Sequence, residues 1–227
     1  MRVMTDNVDW GDRAQKGFLA SGIDPADRKG HKNYYIDVLQ KAALEEVLKL
    51  KGDEVVLDFG CGSGRFSNWI APKVRKVVGL EITSEMIDLA EESRTVENVE
   101  FRVYDGIHFP SFPYPFDLIL SVGVLQILRG EFLKNALLSL AQYLKRDGRL
   151  CLIEQASDNP KVERPKVEEY LRAFFGFRLQ KSFDIRNDVT GFLPAVKGTA
   201  FLKEAPQHID NDNGVWHKPP PLVQKTI

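Results

Sequence analysis

The chain of 227 residues is short of several features that would point to particular classes of protein. It has two cysteines, Cys61 and Cys151, and no Cys/His spacing of the kind that holds zinc. Neither a disulfide framework nor a metal site is therefore expected, and both cysteines read as small core residues. No run of 18 apolar residues occurs, which leaves no segment for a membrane-spanning helix. The opening residues, Met1-Arg2-Val3-Met4-Thr5-Asp6-Asn7, carry no apolar signal core, so a cytoplasmic location is the default expectation. An excess of one charge is missing too. The 31 basic and 32 acidic residues give a net charge of −1, with no broad electrostatic footprint for nucleic acid. Hydrophobic residues make up 43% of the chain, enough for the core of one α/β domain.

The most informative segment is Val55-Val56-Leu57-Asp58-Phe59-Gly60-Cys61-Gly62-Ser63-Gly64. A β-branched apolar run predicts a buried parallel strand, and the alternating glycines predict a tight turn against which a ligand can lie. Arg65-Phe66-Ser67-Asn68-Trp69-Ile70 then opens a helix, whose first N–H groups point back toward the turn. The spacing G-x-G-x-G is not the dinucleotide fingerprint, whose third glycine would fall at Arg65. No Lys-Ser or Lys-Thr follows the turn, so it is not a Walker phosphate loop. Asp58, two residues before the first glycine, suits a ligand with an amino group better than a phosphate.

This pattern, Asp58-x-Gly60-x-Gly62-x-Gly64, resembles motif I of the class I S-adenosylmethionine-dependent methyltransferases. Strands then alternate with helices: Glu54–Phe59, Lys76–Glu81, Val99–Tyr104, Phe116–Ser121 and Arg149–Glu154 as strands, with helices between them. Lys145-Arg146-Asp147-Gly148 reads as the close of a helix over Glu131–Leu144. Such alternation predicts a mostly parallel sheet with helices on both faces and a ligand site beyond the carboxyl ends of the strands. A further helix is expected from Pro165 to Phe174, with two last strands near Phe177–Phe183 and Gly198–Leu202. The resemblance implies an α/β, Rossmann-like sheet of seven strands in the order 3-2-1-4-5-7-6, the last antiparallel. Residues 1–51 read as an N-terminal arm and helix forming a lid, 52–203 as the cofactor-binding domain, and 204–227 as a polar, Pro-containing tail.

Glu81 closes the second strand roughly 20 residues past the glycine turn, where an acid meets ribose hydroxyls. The resemblance implies that it holds both hydroxyls of S-adenosylmethionine, with Ile82 and Met86 near the adenine. It also implies that Asp105 accepts from the adenine amine and that Gly106 leaves room for the ring, although an Asp-Gly pair is equally a plain turn. Ser121 and Val122 are expected at the methionine end, Cys61 within the cofactor turn, and Tyr35 or Lys32 at the cofactor carboxylate. Nucleobase signatures are absent, since Ser121-Val122-Gly123-Val124 stands where an Asp-Pro-Pro-Tyr type motif would be. His31, His108 and Glu154 are weak candidates for a general base, each with an ordinary structural reading beside it. The implied activity is methyl transfer from S-adenosylmethionine, leaving S-adenosylhomocysteine, to an oxygen or nitrogen of a small metabolite. A macromolecular acceptor (RNA or protein) and a non-catalytic scaffold stay open as alternatives. The chain is expected to act as a monomer or homodimer.

Overall fold

The computed structural model describes residues 8–155 together with 181–185 and 222–226. A short helix α1, Trp10–Ala14, opens the arm, and α2, His31–Leu48, follows. Then β1 (Val55–Phe59), α3 (Arg65–Ile70), β2 (Lys76–Glu81), α4 (Ser84–Glu92), β3 (Val99–Val103), β4 (Phe116–Val122), α5 (Gly130–Tyr143) and β5 (Leu144–Gln155) build the body. Strands β3-β2-β1-β4-β5 lie side by side in that order, and all four pairings are parallel. The expected five-stranded parallel arrangement with helices is present.

Alternation along each strand divides the core between two faces. Val56, Val77, Leu118, Leu120 and Ile153 pack toward α2 and α3. Leu57, Phe59, Leu80, Ile119 and Leu152 pack the other way, toward α5 and the aromatic loop around Phe112. Each fully buried side chain of this size contributes about 1.5–3 kcal/mol, so the sheet is clamped from both sides and its strand ends are rigid. β1 pairs with β2 on one edge and β4 on the other. The order in which strands are added to the sheet reverses there, which opens a crevice beyond the carboxyl ends of those strands.

Two details correct the reading from sequence. Lys145–Gly148 does not end a helix but lies inside β5, where pairing jumps from Phe116–Leu144 to Leu118–Arg149. Four residues on β5, Lys145-Arg146-Asp147-Gly148, thus lie opposite one on β4, Asp117, and form a bulge. At the far edge, β6 is Lys181–Ile185 and β7 is Leu222–Thr226, and β7 pairs antiparallel with both β5 and β6. The final strand therefore lies within the segment read as tail. The expected strand at 198–202, the helix at 165–174 and the loop at 188–194 lie outside the described residues.

Candidate active site

Beyond β1 the chain turns through Gly60, Cys61 and Gly62. The N–H groups of Gly60 and Cys61 both donate to the Leu80 carbonyl, at 2.8 and 2.9 Å, which ties the turn to β2. The three glycines do three different things. Gly60 has φ +71°, and a Cβ there would stand 2.3 Å from a Val124 methyl, so only hydrogen fits between the turn and the loop after β4. Gly62 has φ +54° but meets nothing within 4 Å, because its open side is the cleft. Gly64 caps α3, and its missing Cβ lets that helix close on Ala90 of α4 and Phe101 of β3.

Four acids were candidates from the sequence, and their surroundings separate them. Glu81 is buried at the cleft wall. Its Oε1 accepts from the N–H groups of Ile82 (2.8 Å) and Thr83 (3.2 Å), and its Oε2 from that of Gly62 (3.1 Å). A carboxylate oxygen has two lone pairs, so Oε2 keeps capacity for a ligand hydroxyl. Burial raises the Glu81 pKa while the three N–H groups pull it down. Asp58 does not line the cleft. It lies under the turn, accepts from Ser67 Oγ at 2.6 Å and is pushed up to about 6 by burial. Its work is to hold the start of α3. Glu154 is also withdrawn from the cleft. It accepts from the N–H groups of Val124, Leu125 and Gln126 (3.1–3.3 Å) and from Ser121 Oγ (3.3 Å). Burial pushes it up to about 8. Asp105 is exposed, and its oxygens serve a local turn with Ile107, His108 N and His108 Nδ1 at 2.6–2.8 Å. The His108 ring, with those N–H groups, lowers Asp105 to about 2.

The cleft has a volume of about 310 Å³ and spans the ends of β1 to β4. Gly60, Gly62, Glu81, Ile82, Met86 and Gly106 form one wall, with Val122 at the end of β4. The sequence reading placed all seven at the cofactor. Tyr104 joins them, packed against Phe59 and Phe109 with its hydroxyl pKa raised by burial. The opposite wall comes from the loop after β4, through Val124, Gln126, Ile127 and Leu128, and from the arm, through Val8, Trp10, Arg13, Gly22 and Ile23. The arm is seated by a hydrogen bond from Ser63 Oγ to the Phe18 carbonyl, 2.6 Å, and by Asn33, which both accepts from Asp24 N and donates to Asp24 O at 2.9 Å. Beneath it, buried Arg65 binds Asp37 and Gln40 of α2, at 2.9 and 2.5 Å, locking that helix to the turn.

Several expected residues fall elsewhere. Tyr35 is buried in the apolar core with Leu39 and Leu44, and Lys32 is paired with Asp24 at 2.5 Å, so neither lines the cleft. Cys61 points into the core beside Gly79, and burial raises its thiol pKa. Ser121 is fully buried on Glu154. His31 and His108 are exposed, away from the cleft walls. Arg13, Gly22, Ile23 and the 124–128 loop were missed as site residues. Their place is set by contacts across long stretches of chain, and no short motif marks them. Among the described residues, no His/Cys/Asp/Glu cluster is suited to a metal ion.

Comparison with known proteins agrees with this geometry. Residues 56–148, from β1 into β5, match a methyltransferase domain family. An uncharacterized methyltransferase of Anoxybacillus flavithermus is 25% identical over 170 residues, 74% of this chain and 77% of that protein. An uncharacterized RNA methyltransferase of Clostridium tetani is 44% identical over 70 residues, 30% of this chain, which spans only 15% of that protein's length. The crystal structure of the N-methyltransferase NodS from Bradyrhizobium japonicum, in complex with S-adenosyl-L-homocysteine, superposes with a TM-score of 0.62 at 15% identity, covering 96% of this chain and 97% of NodS. Residues 56–148 thus carry a methyltransferase domain, and the chain has the Rossmann-like fold of S-adenosylmethionine-dependent methyltransferases.

Proposed function

We propose that this enzyme transfers the methyl group of S-adenosylmethionine to an oxygen or nitrogen atom of a small metabolite. The observation that carries the acceptor class is the second wall of the cleft. Val8, Trp10 and Ile23 of the arm line the same cleft as Ile127 and Leu128 from the loop after β4. An apolar lining of this kind beside the cofactor residues suits a small molecule rather than a base or side chain borne on a polymer.

The residues present fit the cofactor. Gly62 leaves open space where a Cβ would block a ligand, and Glu81 keeps a free lone pair at the same wall. In this reading Glu81 holds ribose hydroxyls, and Ile82, Met86 and Tyr104 pack on the purine. When bound, S-adenosylmethionine supplies a sulfonium methyl that is already activated. The protein's part is then to exclude water and orient the acceptor, and orientation alone contributes about 7–11 kcal/mol. Of the described lining residues only Arg13, Glu81 and Tyr104 titrate. With so few titrating groups among the described lining residues, the reading favours an acceptor that is nucleophilic without deprotonation, such as a neutral amine.

The same reading keeps residues 1–51 as a lid, on a body that begins at 52 and takes in Leu222–Thr226 as the antiparallel strand of a seven-stranded sheet. It keeps the cytoplasm as the compartment, supported by two free, buried cysteines. The test is to incubate the protein with methyl-labelled S-adenosylmethionine and, separately, a metabolite extract, total RNA and a protein extract. Label entering the metabolite fraction is expected. Label entering only RNA or protein would overturn the acceptor class.

A further inference from the structure

Glu154 is a buried acid that lines no part of the cleft, yet it governs one of the walls. It stands one residue before the end of β5 and is 2% exposed. Its oxygens accept from Ser121 Oγ on β4 (3.3 Å) and from three N–H groups of the following loop, those of Val124 (3.3 Å), Leu125 (3.1 Å) and Gln126 (3.1 Å). All four donors are neutral. A carboxyl group buried on neutral donors gives up hydration that an apolar side chain never had, so stability alone does not call for an acid here. What the acid supplies is a fixed place for the backbone that donates to it.

That backbone is pinned from other directions as well. Arg129 Nη1 donates to the carbonyls of Gln126 (2.7 Å) and Leu128 (2.9 Å). Gly123 N, at the start of the loop, donates to the Ile153 carbonyl of β5 at 2.8 Å. Val124 leaves Gly60 of the glycine turn no room for a Cβ. Of the three residues whose N–H groups Glu154 gathers, Val124 and Gln126 line the cleft. Gln126 brings the one carboxamide among the described lining residues. Its Nε2 would stand 3.7 Å from a Cβ on Gly123, which places the carboxamide over the end of β4. A carboxamide offers both a donor and an acceptor and does not act as a base, so it can orient a polar group without taking its proton. We propose that Glu154 is a positioning residue for methyl transfer, which sets Gln126 at the acceptor wall so that its carboxamide orients the acceptor. The inference rests on the acceptor reading above.

The test follows label from saturating methyl-labelled S-adenosylmethionine into a metabolite extract supplied as a dilution series. The full chain is compared with Glu154→Gln, Gln126→Ala and the double variant. Thermal melts show that each is folded, and titration with S-adenosylhomocysteine reads the cofactor site separately. Glu154→Gln keeps the side-chain shape but turns an NH2 toward N–H groups that need an acceptor. It should lower the limiting rate of transfer by about 10- to 100-fold and leave S-adenosylhomocysteine affinity unchanged. Gln126→Ala should do the same, and the double variant should lose no more than the worse single one, since both act through one side chain. Additive losses, or a parallel loss of S-adenosylhomocysteine affinity, would make Glu154 a support for the fold alone and overturn the proposal. Gln126→Ala changes only a side chain at the cleft, so full transfer by that variant overturns the proposal whether or not Glu154→Gln folds. Unsubstituted protein that binds S-adenosylhomocysteine but labels no metabolite would instead remove the acceptor reading, and this inference with it.

Discussion

Strand β2 ends in a glutamate, and β5 carries one at its last position but one; each is almost fully buried and gathers three backbone N–H groups, yet only Glu81 lines the cleft. The difference lies in where the donors come from. Those of Glu81 belong to the two residues after it and to Gly62, with the Thr83 side chain beside them, and the residue still lines the cleft. Those of Glu154 all come from the loop after β4, which folds over the carboxylate, with Ser121 below. One acid therefore presents itself to a ligand, and the other builds a wall by holding Val124 and Gln126 in place. A strand-end carboxylate in such a sheet is assigned by the direction of its donors, not by its position in the chain.

The contrast can be broken by substitution. Removing Glu154 should have the largest effect on folding. Glu154→Ala strands three N–H groups and a hydroxyl in the interior, and a loss of about 3 kcal/mol is expected by urea denaturation. A loss below about 1 kcal/mol would mean that the loop holds itself. Removing Glu81 should act on binding instead. Glu81→Ala should cost about 100-fold in S-adenosylhomocysteine affinity, or about 2.7 kcal/mol, with a smaller drop in melting temperature, because water reaches its donors from the cleft. Unchanged affinity in the calorimeter would remove the ribose assignment.

The glycines sharpen the same division. Gly60→Ala drives a methyl group into Val124, held by the Glu154 loop, and should destabilise by about 1–3 kcal/mol. Gly62→Val meets no atom of the protein, although its φ of +54° adds backbone strain of about 1–3 kcal/mol, and the domain that remains folded should no longer bind the cofactor. Normal binding by a folded Gly62→Val protein would contradict the placement of the ligand along the turn. The Glu154 carboxyl also makes stability depend on pH. Glu154 is raised from 4.5 to about 8 in the folded chain, so the native state holds its proton more tightly. That contribution is full below pH 4.5 and is lost as pH rises through about 8. The stability of the wild type relative to Glu154→Gln should therefore fall across that window. A difference that stays flat would show that Glu154 is ionised throughout.

What the sequence made legible was local in the chain. Asp58 to Gly64 announced the turn, and Glu81, Ile82 and Met86 follow it within one βαβ unit, where strand spacing and register are tightly constrained. Parallel pairing of β1 to β5 followed from the alternation of strands and helices. Roles that depend on distant partners were not legible. Asp58 and Glu81 are both acids beside the glycines, but only the fold turns one toward Ser67 and the other toward the cleft. Asp105 closes β3 as expected yet spends its oxygens on His108. Arg13 sits in a polar arm with no periodic signal, and it reaches the site because Ser63, some 45 residues on, holds Phe18.

The most direct measurement is a calorimetric titration of the folded protein with S-adenosylhomocysteine, run beside Glu81→Ala. The account predicts saturable binding at one site in the unsubstituted chain and a marked loss in the variant. No binding by folded, unsubstituted protein would contradict it.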